Sequence, residues 1–302
     1  MKETKVAILG LGWVGKSMQK LFPHATIYDP NIVEVREEET DEVFYQPEEV
    51  SWSSGYKYTR LDNKDLVNQC DVAFIATPTP NIKAPEGASI SNTRPGNNDG
   101  EGALDTSIVE DCVSWCECPL IVIRSTVNPG TSDYLVEKYH KNIVVQPEYL
   151  GETPNHPFLD PKTRQFMIIG GGKENTRKLI DLYATVYNAN VNIRQVSCYE
   201  AEVIKLSENR AIFWKVMQCQ ELYDACEASV GKADYYTIRE AVYSDDPRFN
   251  LWFSFVYPDK RGCNSKCMPK DVYAWASWAE SLGLEPKMTR ALLERNKEWI
   301  QG

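Results

Sequence analysis

The first fifteen residues constrain the fold more than any later stretch. Residues 4–10, Thr-Lys-Val-Ala-Ile-Leu-Gly, form a short apolar run ending in glycine, the pattern of a buried strand. Gly10-Leu11-Gly12-Trp13-Val14-Gly15 follows and fits G-x-G-x-x-G. It opens a helix expected over residues 14–22. Alone the motif is weak. Placed after a strand and before a helix, it specifies a tight strand–turn–helix unit. Gly10 permits the turn, Gly12 lets a ligand's pyrophosphate approach the backbone, and Gly15 lets the helix pack close to the strand. The helix N-terminus then favours an anion.

Ala25-Thr26-Ile27-Tyr28-Asp29 reads as a second strand closed by Asp29. That acid lies close to the ~20-residue distance expected of one that accepts hydrogen bonds from a ribose diol. It would repel a 2′-phosphate, so NAD is favoured over NADP. A glycine-rich turn with a surface Asp is the bland alternative. Residues 30–65 are polar and read as short elements and exposed loops. Further buried strands are expected over 71–77, ending at Thr77-Pro78-Thr79-Pro80-Asn81, and over 120–124, 143–146 and 166–170. A loop rich in Gly, Pro, Asn and Ser covers 82–103, and a helix is expected over 106–115. Strands alternating with helices imply right-handed βαβ units and a parallel sheet.

After about residue 198 the pattern becomes helical, first over 199–229 without Pro or Gly, then over 232–243, 271–282 and 286–300. The expected architecture is α/β. A Rossmann-type parallel sheet occupies 1–198, and a mostly α-helical domain occupies 199–302. The 302 residues suffice for two cores.

Composition excludes several classes. The formal net charge of -10 argues against nucleic acid as the main partner. No apolar run is long enough to span a bilayer. The N-terminus enters a strand with no signal-peptide layout, so a cytoplasmic protein is expected. The nine cysteines are scattered without a CxxC pair, and Cys116 and Cys118 are too close for a zinc knuckle. Reduced thiols and no metal site are the simplest reading.

Four later segments carry chemistry. Arg124-Ser125-Thr126-Val127-Asn128-Pro129-Gly130-Thr131 places hydroxyls at a strand's carboxyl end, where open α/β sheets bind ligands. It reads equally as a capped turn. Gln146-Pro147-Glu148-Tyr149-Leu150-Gly151-Glu152 sets two carboxylates four residues apart. On one helical turn both would face the same way and could order a water or act as bases. A solvated acidic turn is the alternative. Lys205 and Asn209, also four apart, lie beside an apolar stripe of Ile204, Ile212, Val216, Cys219 and Tyr223. Such a Lys usually snorkels to water; inside a cleft the pair would suit an oxyanion. Finally, Cys267 precedes Met268-Pro269-Lys270-Asp271 at an expected helix start. Lys266, Lys270 and the helix N-terminus would lower its pKa. Cys263 lacks such neighbours and reads as structural.

In this order the segments VAILGLGWVG, FIATPTP, STVNPGT, QPEYLGE, EAEVIKLSENRA and CMPKD resemble the UDP-glucose/GDP-mannose dehydrogenase family over nearly the whole chain. The resemblance implies a helical second domain like the C-terminal domain of 6-phosphogluconate dehydrogenase. It implies oxidation of the C6 alcohol of a nucleotide sugar, most simply UDP-glucose, to the carboxylate with two NAD. It also implies a homodimer through helix 199–229. Carried over by motif, Cys267 would be the nucleophile. Lys205 and Asn209 would stabilise oxyanions, with Lys205 and Asp271 handling protons through water. Thr126, Glu148 and Glu152 would hold water and assist hydrolysis. Gly10, Gly12, Trp13, Val14, Gly15, Asp29, Thr77, Pro78, Thr79, Ser125, Thr126 and Glu152 would contact the cofactor. Glu148, Tyr149, Leu150, Lys205, Asn209, Arg261 and Gly262 would contact the substrate.

Two departures stand out. Family members usually continue into a second Rossmann-like, nucleotide-contacting domain, and the expectation is a form without it. Before the cysteine they usually carry a glycine- and aromatic-rich FGYGGSC segment. Here the sequence is Val256-Tyr257-Pro258-Asp259-Lys260-Arg261-Gly262-Cys263-Asn264-Ser265-Lys266, whose Lys260, Arg261 and Lys266 could meet a diphosphate. The competing readings are a two-electron hydroxyacid-type dehydrogenase, which needs no thiol or paired acids, and an inactive NAD-binding remnant.

Overall fold

The computed structural model describes residues 4–47, 56–82, 102–151, 160–163, 165–246, 248–265 and 267–301. The chain divides into two compact units. The first takes residues 1–79, 106–154 and 158–202; the second takes 80–105, 155–157 and 203–302.

The first unit is built on a sheet. In chain order its strands are β1 (Val6–Leu9), β2 (Thr26–Glu37), β3 (Val43–Pro47), β4 (Tyr56–Leu61), β5 (Val72–Ile75), β6 (Leu120–Ile123), β7 (Ile143–Val145), β8 (Phe166–Gly170) and β9 (Asn192–Val196). They lie in the order β3-β2-β1-β5-β6-β7-β8-β9, with β4 also paired to β2. β2, β1, β5, β6 and β7 run parallel. The chain moves from β1 to β2 on one side and returns to place β5 on the other. That makes the carboxyl ends of β1 and β5 the switch point where such sheets bind ligands.

The alternation of side chains along each strand separates two cores. Val6, Ile8, Val72, Phe74 and Val122 face α1 (Trp13–Leu21) and α5 (Lys173–Tyr183), packing with Met18, Leu21, Leu179 and Leu182. Ala7, Leu9, Ala73, Ile75, Ile121 and Ile123 pack with Val67 of α2 (Lys64–Val67), Val109 and Val113 of α3 (Ser107–Trp115), and Leu135 of α4 (Thr131–Tyr139). Strands buried on both faces read as continuous apolar runs, which is why these were visible in the sequence.

Two expectations fail here. Asp29 does not close the second strand. The strand bulges between Asp29 and Val33 and continues to Glu37, pairing antiparallel with β3 and β4. The described part of the stretch read as short elements and exposed loops is therefore largely sheet. Its signal was the alternation Val33-Glu34-Val35-Arg36, whose two valines are buried. Second, β8 pairs antiparallel with β7. A parallel pair needs a crossover, usually a helix. The described part of this connection contains only a three-residue 3-10 helix, Pro161–Thr163.

The second unit is helical. α6 (Cys198–Ala228) crosses the boundary, its first turn belonging to the first unit. α7 (Tyr235–Glu240) follows, capped by the Asp234 carboxylate, which accepts from the Thr237 N–H at 2.7 Å. A π-helical turn, Ala241–Asp245, extends it. α8 (Met268–Ser281) and α9 (Lys287–Gln301) complete the described helices. Phe213, Met217, Cys263, Val272 and Leu293 form one core. Cys219, Cys226, Tyr235, Tyr243 and Val256 form another. α8 starts earlier than expected because Pro269 sits in its first turn, where a missing N–H costs nothing. Of the expected loop 82–103, residues 83–101 lie outside the described residues. Leu104 packs with Leu206 and Ala274. No helix among the described residues is long and apolar enough to cross a membrane.

Candidate functional site

In the first unit the glycine turn has the local geometry of a dinucleotide crevice. Gly10 adopts φ +93°, and a Cβ there would lie 2.7 Å from the Ala76 carbonyl oxygen, so only glycine fits between the ends of β1 and β5. A Cβ at Gly15 would lie 1.9 Å from the Gly10 oxygen. At Gly12 a Cβ would meet nothing within 4 Å. The middle glycine therefore borders open space at the N-terminus of α1, where its neighbour Trp13 is 49% exposed and Val14 half-buried.

Asp29 is tied into this turn. One carboxylate oxygen accepts from the Leu11 N–H at 2.8 Å and the other from the Asn31 N–H at 3.1 Å. A carboxylate has about four acceptor positions, which leaves capacity for a ribose diol. The turns after β5 and β6 are cross-linked. Ser125 Oγ donates to the Thr77 carbonyl at 2.7 Å, and Thr79 Oγ1 donates to the Thr126 carbonyl at 2.7 Å. Pro78 between them is exposed. Thr77 Oγ1 is buried without a partner. An open glycine cradle, an acid on its rim and an orphaned hydroxyl fit a dinucleotide such as NAD.

The acidic segment after β7 departs from expectation. Residues 146–151 form no helix, so the premise that Glu148 and Glu152 share a helical turn does not hold. Glu152 lies outside the described residues. Glu148 is no solvated acid either: it is 8% exposed and forms a buried ion pair with Arg124. Its other oxygen accepts from the Tyr149 and Leu150 N–H groups at 2.7 and 2.8 Å. The backbone donors of those two candidate substrate contacts are thus spent on Glu148. The carboxylate ties the ends of β6 and β7 together.

The sequence reading missed Glu202. It is buried on the first turn of α6, and its carboxylate accepts from the Gly130 N–H at 2.6 Å and the Ser132 N–H at 2.9 Å. It thereby caps α4, the helix that begins within the Ser-Thr-Val-Asn-Pro-Gly-Thr motif. Burial outweighs these donors and pushes its pKa up to about 7. The signal was present as an acid three residues before Lys205, but only the fold supplies its partners.

In the second unit Lys205, Asn209 and Asp271 come together. Lys205 does not snorkel; it is 8% exposed. Lys205 Nζ donates to Asn209 Oδ1 at 3.3 Å and lies 3.7 Å from Glu208. Asn209 Nδ2 donates to Asp271, whose other oxygen accepts from Lys270 Nζ at 2.7 Å. The Asn209 amide is polarised from both ends: its oxygen faces a cation and its N–H an acid. Cys267 stands at the N-cap of α8, its carbonyl accepting from the Asp271 N–H at 2.9 Å. It is the one exposed cysteine of nine. Cys263 is buried, its backbone held at both ends by the Asn296 amide, and burial pushes its thiol up.

Arg261 is engaged within its own unit. It donates to Gln220 Oε1 and Asp224 Oδ1, each at 2.6 Å, and lies over the Tyr223 and Trp299 rings. Gly262 packs against Asn296. Lys266 lies outside the described residues. Among the described residues no cluster of three His, Cys, Asp or Glu side chains could hold a metal ion.

A glycine-turn sheet with an acid on its rim, followed by a helical unit carrying a Lys–Asn–Asp chain and an exposed thiol, defines a Rossmann-type α/β protein of two units. Residues 199–298 match the central domain of the UDP-glucose/GDP-mannose dehydrogenase family. A UDP-glucose 6-dehydrogenase of Rickettsia felis is 26% identical over 274 residues, covering 88% of this chain and 56% of that protein. One from Rickettsia bellii is 28% identical over 249 residues, covering 80% of this chain and 52% of that protein. The fold is shared with a UDP-glucose dehydrogenase of Pyrobaculum islandicum, with a TM-score of 0.69 at 21% identity over 98% of this chain and 68% of that one. The chain resembles the UDP-glucose/GDP-mannose dehydrogenase family and matches that family's central domain over residues 199–298. It spans little more than half the length of these curated relatives.

Proposed function

We propose that this protein oxidises the C6 hydroxymethyl group of a nucleotide sugar, most simply UDP-glucose, to the carboxylate in two steps. The observation that carries this reading is the Lys205–Asn209–Asp271 hydrogen-bonded chain, with Cys267 at the N-cap position of the helix that holds Asp271. A simple alcohol dehydrogenase needs no thiol. A thiol is useful where an aldehyde must be held covalently and oxidised again.

Gly10, Gly12, Gly15 and Asp29 would hold NAD at the glycine turn, where it would supply the hydride acceptor for each oxidation. Lys205, through water, takes the hydroxyl proton as the alcohol becomes the aldehyde. The Cys267 thiol adds to the aldehyde carbon, its proton passing to the new oxygen, to give a thiohemiacetal. Lys205 and the Asn209 amide stabilise negative charge on that oxygen. Loss of the second hydride and a proton leaves a thioester on Cys267. Water cleaves the thioester, releasing the carboxylate and restoring the thiol. Thr126 and Glu152 assist the hydrolytic water, with Glu148 holding the backbone of Tyr149 and Leu150. Asp271 orients Asn209 and receives protons through water. Tyr149, Leu150, Arg261 and Gly262 border the sugar nucleotide.

A homodimer through α6 is part of the same reading, supported by the half-buried Ile204, Ile212, Val216 and Tyr223 along that helix. Sedimentation as a monomer at micromolar concentration would remove that part. None of the nine cysteines forms a disulfide, in keeping with a reducing cytoplasm.

The test is NADH stoichiometry with a panel of nucleotide sugars. Two NADH per sugar is the expected result, and one NADH would turn the reading into a two-electron dehydrogenase. Bound NAD without turnover of any sugar would mark a cofactor-binding remnant. Cys267→Ser should stop the reaction after the first oxidation; a variant that still makes the carboxylate at the native rate refutes the covalent step.

A further inference from the structure

Arg210 follows Asn209 directly on α6, and the mechanism above gives it no role. It is half-buried where three helices meet. Its guanidinium lies 4.4 Å from the ring centre of Trp214, one turn along α6, and 3.9 Å from that of Trp275 on α8. Its Nε donates to Thr289 Oγ1 on α9 at 2.9 Å, and Thr289 is buried. Trp275 is fixed in turn: its Nε1 donates to Ser207 Oγ on α6 at 3.2 Å. Among the described residues no carboxylate pairs with Arg210. Burial alone pulls its pKa down. A cation held without a counter-charge is poor material for mere filling. A flat cation, however, can cover two indole faces and aim an N–H at the same time.

The placement of these contacts gives them a purpose. Trp275 and Asp271 are four residues apart on α8 and share a face. Arg210 and Asn209 are adjacent on α6. The two helices are therefore clasped at successive turns. One clasp is the Asn209–Asp271 hydrogen bond. The other is the Arg210–Trp275 stack with its Ser207 bond. The first is a hydrogen bond between two polar side chains that must respond to a reacting substrate. The second is a broad, directional contact that resists sliding and rotation.

We propose that Arg210 is a positioning residue for the Asn209–Asp271 pair. By stacking on Trp275 it sets the register of α6 against α8, and so the alignment of the side chains that act on the reacting carbon. The proposal rests on the functional reading above. Misplacement of a reacting group by about 1 Å can cost on the order of a hundredfold in rate. Loss of the stack should therefore appear in kcat.

The experiment uses the full chain, with UDP-glucose and NAD. Arg210→Met keeps the stem and removes the planar cation. It should lower kcat roughly ten- to hundredfold while leaving KM for the sugar within about threefold. Arg210→Lys, with a charge but no plane, should recover only part of the loss. In an Asn209→Ala background, Arg210→Met should cost nothing further, because its effect passes through Asn209. Equal losses of kcat in both backgrounds would overturn the proposal. So would a lowered unfolding midpoint with unchanged kcat. If the native protein oxidises no nucleotide sugar, it is the functional reading that fails. The positioning link is then read from urea unfolding of the native protein, Arg210→Met, Asn209→Ala and their double variant: non-additive midpoint shifts support it, and strictly additive shifts overturn it.

Discussion

Glu202 offers a test in which two opposing effects meet at one carboxylate. At the N-terminus of α4 it accepts from the Gly130 and Ser132 N–H groups. A helix N-terminus favours an anion by about 0.3–2 kcal/mol. Burial opposes this and wins, raising the group from the ordinary 4.5 to about 7. Because the folded-state pKa is raised, the neutral form is the one that folding favours. The stabilising contribution is complete below pH 4.5 and is lost as pH rises through 7. One pH unit of displacement corresponds to about 1.4 kcal/mol, so the whole span is roughly 3 kcal/mol, most of it crossed between pH 5 and pH 8. Glu202→Gln carries no charge at either pH. Native stability minus variant stability, from urea unfolding of both proteins, should therefore fall by roughly 2–3 kcal/mol from pH 5 to pH 8. Carboxylates whose pKa is lowered, such as Glu110 and Asp234, titrate below this window and cancel in the difference. A difference that stays flat, or rises with pH, would show that the helix end holds the anion and that burial does not decide. Titration of labelled Glu side chains by carbon NMR gives the midpoint directly.

Gly12→Ala should fold with stability within about 0.5 kcal/mol of native, because its Cβ meets nothing, yet weaken NAD binding at least tenfold by isothermal calorimetry; native affinity in this variant would remove the cradle. Gly15→Ala should instead lower the thermal midpoint, since its Cβ falls 1.9 Å from the Gly10 oxygen, and an unchanged midpoint would contradict the packing. Arg124→Met removes the cation beside the buried Glu148 carboxylate and should cost about 3–5 kcal/mol in urea unfolding. Paired with Glu148→Gln, the cost should shrink, and a double variant no more stable than Arg124→Met refutes the ion pair as the source.

What the sequence disclosed follows from how local each signal is. Strands buried on both faces, such as Val6–Leu9 and Leu120–Ile123, advertise themselves as apolar runs. Helices α6, α8 and α9 were legible from long stretches without breakers. β8 was found, but its antiparallel direction was not, because direction depends on the connection rather than on the strand's own residues. β2 beyond Asp29 was lost because one exposed face made it look polar as a whole. The same distinction governs the site. The spacing of Lys205 and Asn209 was visible, but their burial was not, since the covering residues come from elsewhere in the chain. Glu148 shows the limit most plainly: its role depends on Arg124, 24 residues earlier. An ion pair across two strand ends leaves no periodic trace.

The residues before Cys267 bear on what the site can hold. Their cations looked available for a diphosphate when read in one dimension. Arg261 instead bonds Gln220 and Asp224 and lies against two aromatic rings. A guanidinium with a carboxylate at 2.6 Å is already neutralised locally. Recruiting it to a phosphate would mean breaking a charge-assisted bond, and such bonds contribute about 1.5–3 kcal/mol. The segment therefore reads first as the strap that ties the Cys267 turn to α6 and α9. A phosphate that displaced Asp224 would release Trp299 as well, because Trp299 Nε1 donates to the same carboxylate at 2.7 Å. Trp299 fluorescence is thus a direct reporter. If UDP binds here through Arg261, the emission should shift on titration and the shift should vanish in Arg261→Lys. If the strap holds, UDP binding leaves it unchanged, and nucleotide affinity must come from other residues.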